Sequence, residues 1–255
     1  MMQPHERIGA AIAATREAGR TALVPFITAG YPDPDRFIET LKAVAAVGDV
    51  VELGIPFSDP MADGMTIQRS SFKAIENGVT LPWIFDRLDE AGDIEAPLVM
   101  MSYLNPLLAY GYERLAQRAR DTGVCAFIVP DLPYEESEDI RAALEQEGVG
   151  LIQLVTPATP DERMRMLADA SRGFVYAVTI TGITGGDVGL PPDLASYLDK
   201  ISSLSSLPVC AGFGIRTADD VVNVGKHAAG AIVGSALVEV LERGEDPAAF
   251  LEGLR

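Results

Sequence analysis

Short apolar segments alternate with amphipathic segments along most of the chain. Each apolar segment is followed by a loop and then by apolar residues at helical spacing, and these segments begin near Thr21, Val50, Pro97, Cys125, Gly150, Phe174, Pro208 and Ala228. Apolar runs of this length are typical of parallel strands that helices cover. Eight such strands alternating with helices predict an α/β fold, and a (β/α)8 TIM barrel is the simplest arrangement.

No shift in composition marks a domain boundary, so we expect one domain over residues 1–255. The stretch before the first strand, M-M-Q-P-H-E-R-I-G-A-A-I-A-A-T-R-E, interleaves charged and apolar residues and predicts an extra N-terminal amphipathic helix rather than a secretion signal. A doubly wound sheet is the alternative fold. Its G-x-G-x-x-G turn is missing, however, because the loop after the first strand is T-A-G-Y-P-D-P.

The overall charge argues against several classes of partner. With 37 acidic and 20 basic residues the chain has a formal charge of −17, which disfavours binding to nucleic acid and to anionic membrane surfaces. No apolar run reaches the roughly 18 residues of a membrane span, so we expect a cytoplasmic protein. Cys125 and Cys210 lie inside apolar segments and are expected to be buried, and no cysteine or histidine has the spacing of a metal site.

The most distinctive stretch runs from Val50 to Gln68, V-V-E-L-G-I-P-F-S-D-P-M-A-D-G-M-T-I-Q. Apolar strand residues surround one carboxylate, Glu52, and the following loop carries Asp59 and Asp63. Burial of an unpaired glutamate raises its pKa, which suits a group that gives and takes a proton near neutral pH. Glu52 is therefore the first candidate for catalysis. The structural alternative is a glutamate that only caps a loop or pairs with an arginine.

Glycines are concentrated in the loops that follow the last three predicted strands. These loops are T-G-I-T-G-G, F-G-I-R and G-S-A, and Ser235 opens a short helix within the last one. Backbone N–H groups at glycines can approach an anion closely, and a helix N-terminus favours negative charge. Three adjacent loops of this kind predict a phosphate site, although a tight turn would explain any one of them alone.

The string E-L-G-I-P-F-S-D-P-M-A-D-G-x-T-I-Q resembles the signature of the tryptophan synthase alpha chain family, whose members are indole-3-glycerol-phosphate lyases. Further matching segments are spread over the chain: P-F-I-T-A-G-Y-P, M-S-Y-L-N-P, V-P-D-L-P-Y-E-E and Y-A-V-T-I-T-G-I-T-G. The chain departs from the family pattern at Met65, where many relatives have proline, and at Thr179, where serine is common. The first departure affects the stiffness of the loop just after Asp63.

The resemblance assigns roles to residues of the candidate site. It implies that Glu52 is the acid/base catalyst, that Asp63 supports the indole nitrogen, and that the Tyr176 hydroxyl lies near Glu52. From the strand pattern alone, Tyr176 is more typical of a core residue. The resemblance also implies phosphate contacts at Gly185, Gly214, Gly234 and Ser235. Apolar pocket walls are expected at Phe26, Met101 and Phe213.

The implied reaction is the reversible retro-aldol cleavage of indole-3-glycerol phosphate to indole and glyceraldehyde 3-phosphate, in tryptophan biosynthesis. Glu52 would transfer the hydroxyl proton, or both protons of the reaction, and Asp63 would accept the indole N–H. No cofactor is expected in this chain, because the family's pyridoxal phosphate belongs to the β subunit. The resemblance also implies an α2β2 complex, in which Pro56, Asp59 and Asp131 lie at the surface that meets the β subunit.

Two other functions are compatible with the same features. A sugar-phosphate isomerase shares the barrel and the phosphate site, but such enzymes of amino-acid biosynthesis usually place Asp or Cys at the end of the first strand, where this chain has Phe26, Ile27 and Thr28. A non-enzymatic scaffold that only activates a β subunit is the other alternative. Retention of both Glu52 and Asp63 argues against it.

The acidic composition predicts adaptation to high salt. Helical segments such as E-E-S-E-D-I-R-A-A-L-E-Q-E place like charges together, and their repulsion opposes compaction in dilute buffer. About 1 M salt shortens the screening length to roughly 3 Å and removes most of this repulsion. The melting temperature should therefore rise between about 0.1 M and about 2 M potassium chloride. A constant melting temperature contradicts the prediction, and a rise in sodium sulfate alone would indicate a general strengthening of apolar burial.

Overall fold

The computed structural model describes residues 2–179, 193–212 and 214–255. Within these ranges nine parallel strands form one sheet, in the order β5-β4-β3-β2-β1-β9-β8-β7-β6. The strands are β1 (Ala22–Thr28), β2 (Val51–Gly54), β3 (Leu98–Met101), β4 (Val124–Ile128), β5 (Gly150–Ile152), β6 (Leu154–Val155), β7 (Val175–Val178), β8 (Val209–Gly212) and β9 (Gly230–Val233). The last strand returns to pair with the first, which curls the sheet into a barrel.

The barrel closes at Gln153, the residue between β5 and β6. β5 pairs with β4 and β6 pairs with β7, so these two consecutive pieces of chain occupy one strand position. The Gln153 N–H leaves the ladder and donates to Ser171 Oγ at 2.9 Å, while the Gln153 carbonyl accepts from the Tyr176 N–H at 3.0 Å. The nine strands thus fill eight positions, and the predicted (β/α)8 barrel is confirmed.

Helices follow the strands, as the apolar periodicity predicts. In the described ranges they are α1 (Pro4–Glu17), α2 (Phe37–Ala45), α3 (Met65–Glu76), α4 (Leu81–Ala91), α5 (Leu104–Tyr110), α6 (Tyr112–Asp121), α7 (Glu138–Gln146), α8 (Asp161–Ala170), α9 (Leu194–Leu204), α10 (Ala218–Gly225), α11 (Ser235–Glu242) and α12 (Pro247–Glu252), with 3₁₀ turns at Pro34–Arg36 and Tyr134–Glu136. None of the helices in this described part is long and apolar enough to cross a lipid bilayer.

Helix α5 forms although its sequence, L-N-P-L-L-A-Y, contains a proline. Pro106 is the third residue of the helix. The N–H groups of the first turn have no acceptor within a helix, so a proline there removes no hydrogen bond. The segment after β3 is therefore helical despite its Asn-Pro pair.

Helix α1 covers the N-terminal end of the barrel. Ile8 and Ile12 have no exposed surface and belong to one apolar cluster with Val24 and Phe174 of the barrel wall. Thr15 Oγ1, in the same helix, donates to the Asp49 carboxylate at 2.8 Å. The predicted extra N-terminal helix is thus present, and it leaves the C-terminal ends of the strands as the open end of the barrel.

The two-residue period of the strands decides which side chains enter the barrel. In β2, Val51 and Leu53 belong to the apolar layer between the strands and the helices, so Glu52 between them faces the interior. Cys125 and Cys210 belong to the interior cluster and have no exposed surface, as predicted. A carboxylate therefore enters a space that is otherwise lined mainly by apolar side chains.

Candidate active site

Glu52 lies on the interior face of β2, in register with Phe26 of β1 and Val99 of β3. Only 1% of the residue is exposed, and its Oε2 atom has no hydrogen-bond partner among the described residues. Burial raises the pKa of Glu52 to about 8, and the negative charge of Asp63 adds to this rise. At neutral pH Glu52 therefore holds a proton, and one of its oxygens is available to a substrate.

Asp63 lies in the loop between β2 and α3, and a tyrosine from the next loop holds it in place. The Tyr103 hydroxyl donates to the Asp63 carboxylate and accepts from the Ala62 N–H at 2.9 Å. The Tyr103 ring also stacks on Phe57 of the same loop as Asp63, with ring centroids 5.1 Å apart. Tyr103 thus fixes the part of the loop that carries Asp63.

The two carboxyl groups have different proton affinities. Burial raises the pKa of Asp63 to about 6, and the hydrogen bond from Tyr103 opposes this rise. Asp63 is therefore mostly ionised at neutral pH, whereas Glu52 is mostly protonated. Two neighbouring carboxyl groups with separated pKa values are typical of acid/base sites. The described residues contain no group of three or more His, Cys, Asp or Glu side chains placed to bind a metal ion.

Tyr176 of β7 lies close enough to Glu52 and Asp63 to interact electrostatically with both carboxyl groups. It is 3% exposed, and its pKa is raised first by burial and then by the charges of Glu52 and Asp63. The side chain needs the space above Gly212 of β8, because a Cβ atom at Gly212 would lie 2.3 Å from the Tyr176 hydroxyl oxygen. The structure thus brings all three predicted catalytic residues to one end of the barrel.

An apolar wall lies beside the acids. Phe26 belongs to a small apolar cluster with the half-buried Met101 and with Tyr31, Ile67 and Val238. The Phe26 ring occupies the position of a side chain at Gly54, since a Cβ atom there would lie 2.4 Å from the ring. Two of the three predicted pocket walls therefore come together. The third, Phe213, lies outside the described residues.

Three of the four predicted phosphate residues lie in the loops after β8 and β9, which are neighbouring strands of the sheet. Gly214, in the loop after β8, has a φ of +81°, which favours glycine. Gly234 is the N-cap of α11 and Ser235 is the first residue of that helix. Glycine has no side-chain oxygen to accept from the N–H groups of the first turn, so an anion can accept from them instead. Gly185 lies outside the described residues.

The three predicted partner-contact residues differ in exposure. Asp59 is exposed, whereas Pro56 is buried within this chain. Asp131 is half-buried, and its Oδ1 atom accepts from the Leu104 N–H at 2.9 Å at the start of α5. Asp131 therefore positions the residue that follows Tyr103, which in turn holds Asp63.

Tyr103 is the main functional candidate that the sequence did not single out. It lies within M-S-Y-L-N-P, immediately after a strand, and the loops after the strands carry the functional groups of a barrel. Its position directly after a strand is the feature of the sequence that could have identified Tyr103 as a functional residue. Its contact with Asp63, which is 40 positions away in the chain, depends on β2 and β3 being neighbours.

The chain is similar to tryptophan synthase alpha chains along almost its whole length. The model of the family described as tryptophan synthase alpha chain matches residues 12–252. The tryptophan synthase alpha chain of Roseiflexus sp. (strain RS-1) is 46% identical over 241 residues, which cover 93% of this chain and 92% of that protein. A chain of Mycobacterium tuberculosis tryptophan synthase is 33% identical, with a TM-score of 0.88 and coverage of 97% of this chain and 96% of that one. A chain of the α2β2 tryptophan synthase complex of Pyrococcus furiosus is 34% identical, with a TM-score of 0.84 and coverage of 92% and 98%.

The raised pKa of Glu52 predicts that the free energy of unfolding depends on pH. An unfolded glutamate has a pKa of about 4.3, whereas folding raises the pKa of Glu52 to about 8. The stability contributed by this group is complete below the unfolded pKa and is lost as the pH rises through the folded pKa. Between about pH 4.5 and pH 8 the wild type should lose on the order of 4 kcal/mol relative to Glu52→Gln, whose side chain does not ionise.

Urea unfolding at a series of pH values measures this difference. The exposed residue Glu95 provides the control, because Glu95→Gln removes the same charge without the burial. Its stability relative to the wild type should vary much less with pH. A difference between wild type and Glu52→Gln that stays constant across the range would contradict the raised pKa.

Proposed function

The chain belongs to the tryptophan synthase alpha chain family of carbon–carbon lyases, and we propose that Glu52 and Asp63 perform its retro-aldol cleavage of indole-3-glycerol phosphate at the open end of the barrel. The observation that carries this assignment is the pair of adjacent carboxyl groups, one protonated and one ionised at neutral pH. Cleavage of the bond between indole C3 and the glycerol chain needs a proton donor, a proton acceptor and a negative charge, and this pair supplies all three.

Glu52 moves both protons in the proposed mechanism. Its carboxyl group, with a pKa of about 8, donates a proton to C3 of the indole, which makes the ring cationic. The bond from C3 to the adjacent hydroxyl-bearing carbon then breaks, and its electron pair returns to the ring to give indole. That carbon becomes the aldehyde of glyceraldehyde 3-phosphate as its hydroxyl proton passes to the Glu52 carboxylate. Glu52 is thereby protonated again.

Asp63 stabilises the cation between the two proton transfers. An ionised carboxylate accepts the indole N–H and places a full negative charge beside the developing positive charge. Tyr103 keeps this carboxylate in position and lowers the pKa of Asp63, so that the group stays ionised while Glu52 stays protonated. Tyr176, which feels the charges of both acids, packs beside them and is the candidate for orienting Glu52.

The rest of the substrate is held by the apolar wall and the glycine loops. Phe26 and Met101 offer apolar surface to the indole ring. The phosphate group would accept hydrogen bonds at Gly214, Gly234 and Ser235, where α11 points its N-terminus. Phe213 and Gly185, which fall in undescribed parts of the chain, stay predictions from the family resemblance.

Every step transfers a proton between substrate and side chains of this chain, so the proposed reaction uses no cofactor here. The pyridoxal phosphate of tryptophan synthase is expected on a partner β subunit. Operation in the cytoplasm likewise stays a prediction.

Replacement of either acid should abolish most of the cleavage. Glu52→Gln keeps the shape of the side chain and removes its proton chemistry, so indole release should fall at least about a hundredfold while substrate still binds. Asp63→Asn should also lose most activity, because the amide carries no negative charge. The assay is indole release from indole-3-glycerol phosphate, with Glu95→Gln as the control. A variant that retains most of its activity would remove the replaced residue from the mechanism, and an inactive wild type, tested with and without β subunit, would contradict the assigned function.

We further propose that a β subunit binds at the loops that carry Asp59 and Asp131. The α2β2 complex of Pyrococcus furiosus supports such a partner. Phe57, two residues before the exposed Asp59, stacks on Tyr103. Asp131 accepts a hydrogen bond at the start of α5, next to Tyr103. A partner that contacts these loops would therefore act on Asp63 through a single tyrosine.

Asp59→Ala should weaken activation by the β subunit more than it weakens the activity of the isolated chain. The charge is lost at the proposed contact, whereas the hydrogen bonds of Asp63 remain. Indole release is measured with increasing β subunit, and Asp93→Ala, an exposed aspartate before β3 at the opposite end of the barrel, serves as the control. Equal losses with and without the partner would refute the coupling.

A further inference from the structure

Helices α3 and α11 carry the two halves of the proposed site. α3 begins at Met65, directly after Asp63 and Gly64, and α11 begins at Ser235. The two helices lie side by side, with Ile67 of α3 and Val238 of α11 in one apolar cluster. One helix thus follows the acid that would accept the indole N–H, and the other begins where the phosphate would bind.

Glu239 of α11 joins these halves through both oxygens of its carboxylate. Oε1 accepts from the Thr66 hydroxyl of α3 at 3.3 Å, and Oε2 accepts from Nη2 of Arg216 at 2.5 Å. Arg216 belongs to the loop after β8, two positions beyond Gly214, and Glu239 lies about one helical turn beyond Ser235. One carboxylate of α11 therefore contacts both the loop after β8 and the helix that follows Asp63.

The link from α3 to Asp63 continues through the backbone. Gln68 Nε2 donates to the Asp63 carbonyl at 2.7 Å, and the Gln68 N–H donates to the Gly64 carbonyl at 3.0 Å. In the loop after β8, the backbone of Arg216 is held in turn, because its N–H donates to Asp220 Oδ2 at 3.0 Å. A shift of α11 or of the loop after β8 is thus transmitted to Asp63 through groups that are themselves held in place.

The ion pair of Glu239 and Arg216 contributes little to stability, since the two side chains are 27% and 41% exposed and exposed pairs are weak. The ion pair matters instead for the position of the groups that it connects, because a displacement of about 1 Å at a catalytic group can change the rate about a hundredfold. We propose that Glu239 is a positioning residue that makes phosphate binding at Gly214 and Ser235 and indole binding at Asp63 cooperative. This inference rests on the function proposed above.

A second ion pair between the same helices provides a matched control. Arg69 of α3 donates from Nε and Nη2 to the Glu242 carboxylate of α11, at 2.9 and 2.7 Å. This pair also joins α3 to α11, but it lies about one helical turn further from Asp63 and from Ser235. Within the described part of the chain, Glu242 makes no hydrogen bond or ion pair with Arg216. Glu242→Ala therefore loosens the helix pair without breaking the connection to the loop after β8.

The experiment measures the affinity for indole by calorimetry, with and without saturating inorganic phosphate. In the wild type we expect phosphate to raise the affinity for indole about fivefold. Glu239→Ala and Thr66→Val should reduce this factor to less than about twofold, whereas Glu242→Ala should keep it. Thr66→Val removes one hydroxyl at nearly constant volume, so it tests the proposal even if Glu239→Ala does not fold.

Two results would overturn the proposal. Either phosphate leaves the indole affinity of the wild type unchanged, or the Glu239 and Thr66 variants keep the same coupling as Glu242→Ala. A wild type that binds neither indole nor phosphate contradicts the proposed function itself, and this outcome is distinct from the other two.

Discussion

The burial of one carboxyl group inside a closed barrel is the constraint on which the site depends. Glu52 faces the interior because Val51 and Leu53 on either side pack under the helices. Ile8 and Ile12 of helix α1 cover the N-terminal end of the barrel, and this shields Glu52 from water on that side. The removal of water raises the pKa of Glu52 and makes a glutamate serve as a proton donor at neutral pH.

The rest of the site is arranged around this buried group. Gly54 and Gly212 have no side chains because the rings of Phe26 and Tyr176 fill those positions. Asp63 is less deeply buried and receives a hydrogen bond from Tyr103, so its pKa rises less than that of Glu52. Burial and one hydrogen bond therefore give two carboxyl groups of similar chemistry opposite protonation states.

The barrel and most of the site could be predicted from the sequence, because both depend on patterns within short stretches. Apolar runs locate the strands, and the string around Glu52 and Asp63 identifies the acids. The division of one strand at Gln153 could not be predicted. It depends on a hydrogen bond from Gln153 to Ser171, which ends helix α8 and lies 18 positions further along the chain. Tyr103 and Glu239 were missed for the same reason: their partners are distant in the chain. One domain over residues 1–255 stays a prediction.

The chemistry of the site requires Glu52 to be protonated at neutral pH. Infrared difference spectroscopy between the wild type and Glu52→Gln measures this protonation directly, through the C=O stretch of a protonated carboxyl group. This protonation predicts that the band is present at neutral pH and disappears with a midpoint near the pKa of about 8. A band that is already lost below about pH 5, as for an exposed glutamate, would contradict it.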